Sequence, residues 1–125
     1  MKILIFKTAD DVASWTAKRL IQAIKEFEPT KEKPFLVLGL PTGSTPIPVY
    51  KELVKSYQNK EISFKNVVTF NMDEYVGLAP DHNQSYHYFM DENLFNHIDI
   101  PKNQIHILNG LAENPKEECK TYEEK

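Results

Sequence analysis

The sequence predicts an α/β fold: a mainly parallel sheet with flanking helices. Three observations carry that prediction. Short apolar runs recur that are too continuous for strands with one wet face. Between them lie longer segments whose apolar residues fall at helical spacing. The junctions are brief and rich in Gly, Ser, Thr or Pro, as in a chain alternating strand and helix.

Ile3 to Phe6 is the first such run and reads as a strand buried on both faces. Thr8 then offers an N-cap, with Asp11 three residues on as its acidic partner. Val12, Trp15, Thr16, Leu20, Ala23, Ile24 and Phe27 recur at helical spacing, so Trp15 is expected in the core. The polar, Pro-bounded segment 28–34 ends that helix. Phe35 to Leu40 reads as the second strand, and Pro41 to Ser44 as a turn. Thr45 is placed as N-cap of the next helix and Pro46 at its first position. Tyr50, Leu53, Val54 and Tyr57 form its apolar face, and Asn59 to Glu61 close it. A third strand is expected over Val67 to Asn71, followed by a loop through Gly77, Pro80 and Asn83. A helix from about Ser85 carries Tyr86, Phe89, Met90 and Leu94 on one face. Gln104 to Leu108 reads as a short fourth strand ended by Asn109-Gly110. From Pro115, Glu117, Glu118, Cys119 and Tyr122 start a last helical pattern, with Cys119 expected to be partly buried. Because Lys125 falls inside that pattern, the expectation is the N-terminal portion of a larger domain, incomplete at its C-terminus.

With 125 residues the chain has room for one compact unit. Apolar residues at 41% and charged residues at 26% are ordinary for a globular domain. A formal charge of −3 gives no field favouring nucleic acid or an anionic membrane as partner. No apolar run is long enough to span a bilayer, and the one at Met1 to Phe6 is too short for a signal peptide. The single Cys119 excludes an internal disulfide and fits a reducing, cytoplasmic setting.

Ligands of open α/β sheets gather at the carboxyl ends of the strands, and two such ends stand out. At Pro41-Thr42-Gly43-Ser44-Thr45, Gly43 lets backbone approach a ligand while Thr42, Ser44 and Thr45 add hydroxyls. A helix follows at once, so N–H groups and a dipole end suit an anion such as phosphate. The loop lacks the Lys of a Walker A motif and is not GxGxxG. A plain strand–helix turn explains the same residues without a ligand. At the next strand end, Asp73 and Glu74 are consecutive carboxylates that strand alternation points apart, so one of them faces a ligand. A neighbouring negative charge and partial burial would raise the pKa of that group toward a useful general base. An acidic, solvated turn is the alternative. His82, His87, His97 and His106 show no H-x-x-x-H spacing, and there is no second Cys, so no metal site is predicted.

Two segments then become recognisable. Leu38-Gly39-Leu40-Pro41-Thr42-Gly43-Ser44-Thr45-Pro46 and Val68-Thr69-Phe70-Asn71-Met72-Asp73-Glu74-Tyr75-Val76-Gly77-Leu78 resemble signatures of the glucosamine-6-phosphate deaminase family. Ser85-Tyr86-His87, Asn93-Leu94-Phe95, His97-Ile98-Asp99-Ile100 and Ile107-Leu108-Asn109-Gly110 continue the likeness, which covers essentially the whole chain. The resemblance implies a modified Rossmann-like parallel sheet. It also implies conversion of glucosamine 6-phosphate to fructose 6-phosphate and ammonia without metal or organic cofactor. In that reaction the sugar ring opens, a base takes the C2 proton, an enolamine forms, and the protonated product hydrolyses to release ammonia. Asp73 matches the family's proton-abstracting aspartate; Thr42, Gly43, Ser44 and Thr45 match part of its phosphate site, and Glu74 is placed with them as substrate-binding. Family members are about twice as long, and their ring-opening histidine lies in a later segment absent from these 125 residues. The chain alone is therefore expected to be inactive, and the full-length protein to act as a homo-oligomer in the cytoplasm. Alternatives are a non-catalytic sugar-phosphate-binding module, a galactosamine-6-phosphate deaminase, or a 6-phosphogluconolactonase, which shares the fold and a similar phosphate loop.

Overall fold

The computed structural model describes residues 3–125; Met1 and Lys2 lie outside the described residues. Three strands form one parallel sheet in the order β1 (Leu36–Gly39), β2 (Val67–Phe70), β3 (Ile105–His106). Four helices accompany them: α1 (Ala9–Glu26), α2 (Ile47–Gln58), α3 (Tyr86–Asn93) and α4 (Pro115–Glu123). Short 3-10 turns occupy Phe95–His97 and Lys102–Gln104.

The register places Leu36 beside Val67 and Leu38 beside Thr69, which pairs on its other side with Ile105. One sheet face is therefore made of Leu36, Leu38, Val67 and Ile105, all part of the core with Leu53, Phe64, Met90 and Leu94. The other face carries Phe70, stacked on His106 at 4.6 Å and met edge-on by Tyr122 of α4 at 5.8 Å. Tyr122 also donates its hydroxyl to Asn71 O and His106 O, at 2.8 and 2.9 Å, which ties α4 to two strand ends.

The strands are shorter than the sequence suggests, because other groups take over pairing at their ends. Leu36 N donates to Asn66 O and Leu40 N to Phe70 O, while Asn71 N reaches His106 O. At the start of β3 the buried Gln104 side chain does the work, donating to Lys65 O and Val67 O. The strand expected at Ile3–Phe6 does not form. Ile3 and Ile5 are 71% and 92% exposed, and Phe6 instead lies 5.9 Å from the Trp15 ring. Without a neighbouring ladder an apolar run has no partner for its backbone groups.

Helix α1 begins as predicted, with a reciprocal Thr8–Asp11 capping box. Its buried face is turned, however. Ala13, Ala17 and Ile24 are buried with Leu20 and Ile21 packed beside them, while Val12 and Trp15 are 47% and 41% exposed. The small residues let α1 approach α2 closely, so Trp15 is displaced outward rather than forming core. Helix α2 also starts differently: Pro46 is its N-cap, Pro48 lies in its first turn, and no side chain caps it. Thr45 is thus not a cap. Cys119 is exposed rather than partly buried.

Helix α2 ends in a Schellman motif. Lys60 N donates to Tyr57 O and Glu61 N to Ser56 O, with Lys60 at φ 60°. A lysine in the left-handed region carries a steric cost that glycine lacks. Lys60→Gly is expected to stabilise the chain by up to about 1 kcal/mol, seen as a higher urea midpoint with an unchanged m value; a lower midpoint would count against this assignment.

Candidate active site

The parallel register sets the carboxyl ends of β1, β2 and β3 side by side, so the loops that follow them converge. The first is Pro41–Pro46. Asn71 Nδ2 donates to Leu40 O at 2.7 Å, and the Tyr50 hydroxyl donates to Pro41 O. Burial pushes the Tyr50 phenol well above its ordinary value, so it remains a neutral donor. The start of the turn is therefore held by two side chains. Gly43 adopts φ +98°, which strains any L side chain. Thr42 is half-buried, and Gly43, Ser44 and Thr45 are exposed. Thr42, Ser44 and Thr45 line a cavity of about 590 Å³ that α1 closes with Val12, Ala13 and Thr16.

The second loop carries the two carboxylates, and they diverge as alternation predicts. Asp73 is exposed, so the partial burial expected from the sequence is absent. The Glu74 side chain is 1% exposed and turns inward. It accepts from Tyr75 N at 2.8 Å, Tyr86 N at 2.9 Å, His87 N at 3.0 Å and the His87 ring Nδ1 at 2.8 Å. An ionised carboxylate only accepts, so His87 carries its proton on Nδ1. Burial alone would raise the Glu74 pKa. The bonds from Tyr86 N, the His87 ring, His87 N and Tyr75 N outweigh it and hold the carboxyl below its ordinary value. Glu74 thus sits as an anion on the N-terminus of α3, beside the Ser85 cap that accepts from Tyr88 N at 3.0 Å. All four of its acceptor contacts go to the protein itself.

The third strand end supports the second loop. Gly77 N donates to Gly110 O at 2.7 Å. A Cβ at Gly110 would meet the carbonyl oxygens of Tyr75 and Leu78, and Glu74 Cγ at 3.3 Å. Glycine is needed there by close approach. Asp73 lines a hollow of about 190 Å³ between this loop and α4, bounded also by Met72, Leu108, Asn109 and Cys119.

The structure therefore brings Thr42–Thr45 and Asp73 to neighbouring strand ends but sets them on two separate hollows. Among the described residues no Lys or Arg lines either hollow. Among the described residues no three His, Cys, Asp or Glu side chains gather as a metal site. The residues that sequence reasoning passed over are Tyr75, in the loop after β2, and Tyr86, at the start of α3, whose hydroxyls lie 3.3 Å apart. Their signal was positional: Tyr75 follows the carboxylate pair directly, and Tyr86 opens the helix that Glu74 caps.

A group with a folded pKa below its ordinary 4.5 stabilises the fold above that value and loses its contribution as pH falls through the folded value. Glu74→Gln is therefore expected to lower stability by about 1–3 kcal/mol at pH 7, with the difference from the unaltered chain closing below pH 4 or so. Urea midpoints measured from pH 7 to 3 check this, and two parallel curves would remove Glu74 as the responsible group.

The family profile described as "Glucosamine-6-phosphate isomerases/6-phosphogluconolactonase" matches residues 7–125. A glucosamine-6-phosphate deaminase of Glaesserella parasuis is 58% identical over 125 residues, spanning 100% of this chain and 47% of that protein. One from Treponema denticola is 59% identical over 123 residues, spanning 98% and 45%. Among solved structures, a monomeric glucosamine-6-phosphate deaminase superposes with a TM-score of 0.88 at 38% identity, covering 99% of this chain and 49% of that one. The chain spans about half the length of the relatives it matches. With its parallel sheet, its two converging strand-end loops and a profile match over all but the first six residues, the chain belongs to the glucosamine-6-phosphate isomerase/6-phosphogluconolactonase family.

Proposed function

We propose that the chain is the N-terminal part of a single-domain glucosamine-6-phosphate deaminase, which converts glucosamine 6-phosphate to fructose 6-phosphate and ammonia. The observation that carries this reading is the adjacency of the Thr42–Thr45 loop and Asp73 at neighbouring parallel strand ends, with Asn71 bonded across to Leu40 O. The N–H groups and hydroxyls of Thr42, Gly43, Ser44 and Thr45 hold the phosphate at the start of α2, which no side chain caps. Asp73, exposed in the loop after the next strand, takes the C2 proton of the open-chain sugar. The electron pair left behind forms the enolamine. Protonation at C1 then gives an imine at C2, which water hydrolyses to the ketone and ammonia. Anchoring the phosphate fixes C2 against the base, and such positioning supplies on the order of 7–11 kcal/mol in the best cases.

Glu74 belongs to this site indirectly. With its oxygens engaged by α3 and the His87 ring, it orients the Asp73 loop more than it contacts substrate. Ring opening falls to groups outside residues 1–125, so these residues alone bind sugar phosphate without turning it over. The full-length protein acts in the cytoplasm, as a homo-oligomer. Among the described residues no helix is long and apolar enough to cross a membrane.

The test is ammonia release from glucosamine 6-phosphate by the full-length polypeptide that carries these residues. Asp73→Asn keeps the shape and removes the base, so kcat is expected to fall about 10²–10⁴-fold with little change in KM. Undiminished turnover would sink the role of Asp73. The 125-residue chain by itself is expected to release no ammonia; activity there would mean that ring opening needs nothing further. Full-length protein that binds the sugar phosphate but never releases ammonia would favour a non-catalytic binding module. Faster turnover of galactosamine 6-phosphate would reassign the epimer.

A further inference from the structure

Asn71 is the residue at which the β1–β2 ladder stops. Carried one step past Gly39 and Phe70, the register sets Leu40 opposite Asn71. In a regular parallel ladder Leu40 N would donate to Phe70 O, and Leu40 O would accept from Met72 N. The first of these bonds forms, at 2.9 Å. The second does not: the Asn71 side chain takes the place of Met72 N, with Nδ2 2.7 Å from Leu40 O. The same substitution occurs on the other side of β2. Asn71 N donates to His106 O at 3.0 Å, but Asn71 O accepts from the Tyr122 hydroxyl at 2.8 Å, where Leu108 N would stand in a continued ladder. Side chains thus close both rungs, and the backbone beyond them is released to turn. Met72 is 85% exposed, and Asp73 follows it.

The amide comes at a cost. Asn71 is 1% exposed, and Leu40 O can only accept, so the amide must present Nδ2 to it. Oδ1 is then left buried, with no partner among the described residues. A buried acceptor without a partner is destabilising, and an apolar side chain of the same volume would avoid it. What the amide gives in return is geometric. It joins the residue before the Pro41–Pro46 turn to the residue two before Asp73, and it keeps Met72 and Asp73 themselves out of the ladder.

We propose that Asn71 is a positioning residue: by standing in for the Met72 rung, its amide sets the spacing between the Thr42–Thr45 loop and the Asp73 carboxylate. It acts through Leu40 and Met72 and touches no substrate. The proposal rests on the deaminase reading for what the two loops hold, whereas the substitution in the ladder does not depend on that reading.

The test uses Asn71→Leu in the full-length polypeptide that carries these residues. The change nearly preserves side-chain shape, removes the unpartnered Oδ1 and frees Leu40 O to accept from Met72 N. Met72 and Asp73 are then drawn toward β1. The urea midpoint is expected to stay level or rise, while kcat for ammonia release falls on the order of 100-fold, as displacement of a reacting group by about 1 Å does. KM and inhibition by inorganic phosphate change little, because the anion loop is untouched. An unchanged kcat overturns the proposal. So does a loss of phosphate inhibition in step with kcat, which would make Asn71 a support of the anion loop alone. Should Asn71→Leu fail to fold, Asn71→Ser, too short to reach Leu40 O, must show the same selective fall in kcat. Amide hydrogen exchange gives a readout free of activity. Met72 N–H is expected to be unprotected in the unaltered protein, with Leu40 and Asn71 N–H protected, and to gain protection in Asn71→Leu. Protection of Met72 already present in the unaltered protein, or absent from the variant, overturns the role of the amide in the ladder. If the unaltered protein releases no ammonia, the deaminase reading fails by itself, and the exchange rates of Met72 still decide the role of Asn71.

Discussion

The buried Glu74 carboxylate is the constraint on which the candidate site depends. A charge taken out of water must be matched by donors, and Glu74 finds four within 3.0 Å. Three are backbone N–H groups, two of them at the start of α3, where a helix leaves its first donors unpartnered. One side chain therefore does three things. It anchors the loop after β2 to α3, it fixes Tyr86, and it leaves the preceding residue, Asp73, no direction but outward. The consecutive pair is thus a division of labour: one carboxylate holds the frame so that the other can face a ligand.

That frame is only as exact as the strand ends beneath it. Asn71 joins the two loops laterally, with its backbone N–H in the β2–β3 ladder and its amide on Leu40 O. Tyr122 binds the carbonyls of Asn71 and His106 from the opposite face of the sheet. Gly110 lets the third strand end lie directly under the carbonyls of Tyr75 and Leu78. These contacts join residues far apart in the chain, so a local sequence pattern could indicate each loop but not their mutual position. The hydrogen bonds also explain why such short strands suffice: side chains and loop amides extend the pairing where the ladder stops.

What could be read from the residues follows from how local each cause is. The Thr8–Asp11 box is a three-residue interaction and was legible in full. So were the strand cores, which are apolar runs, and the α2 stop at Asn59–Glu61, which is a turn. The rotation of α1 was not, because Ala13 and Ala17 face α2 for reasons that lie in α2; by hydrophobicity alone Trp15 looks more deeply buried than either. Ile3–Phe6 failed for a similar reason, since an apolar run is a strand only if something pairs with it. At the site, the divergence of Asp73 and Glu74 followed from backbone alternation. The inward role of Glu74 did not, because its partners come twelve and thirteen residues later.

The electrostatics assign the two loops different kinds of work. A sugar phosphate brings a dianion, yet among the described residues no Lys or Arg lines either hollow, and two acidic groups stand at the second loop. The helix end at α2 contributes about 0.3–1 kcal/mol toward an anion at an exposed site, and each charge-assisted N–H contact about 1.5–3 kcal/mol. A few such contacts orient a phosphate well, but part of their strength offsets the anion's loss of hydration. On the proposed reading, the Thr42–Thr45 loop would act chiefly by direction, fixing where the far end of the substrate lies. On the same reading, the Asp73 carboxylate would repel a phosphate held by the neighbouring loop, which favours a substrate long enough to keep the two apart. An extended chain whose phosphate and reacting carbon are separated by several hydroxyl-bearing carbons meets that requirement.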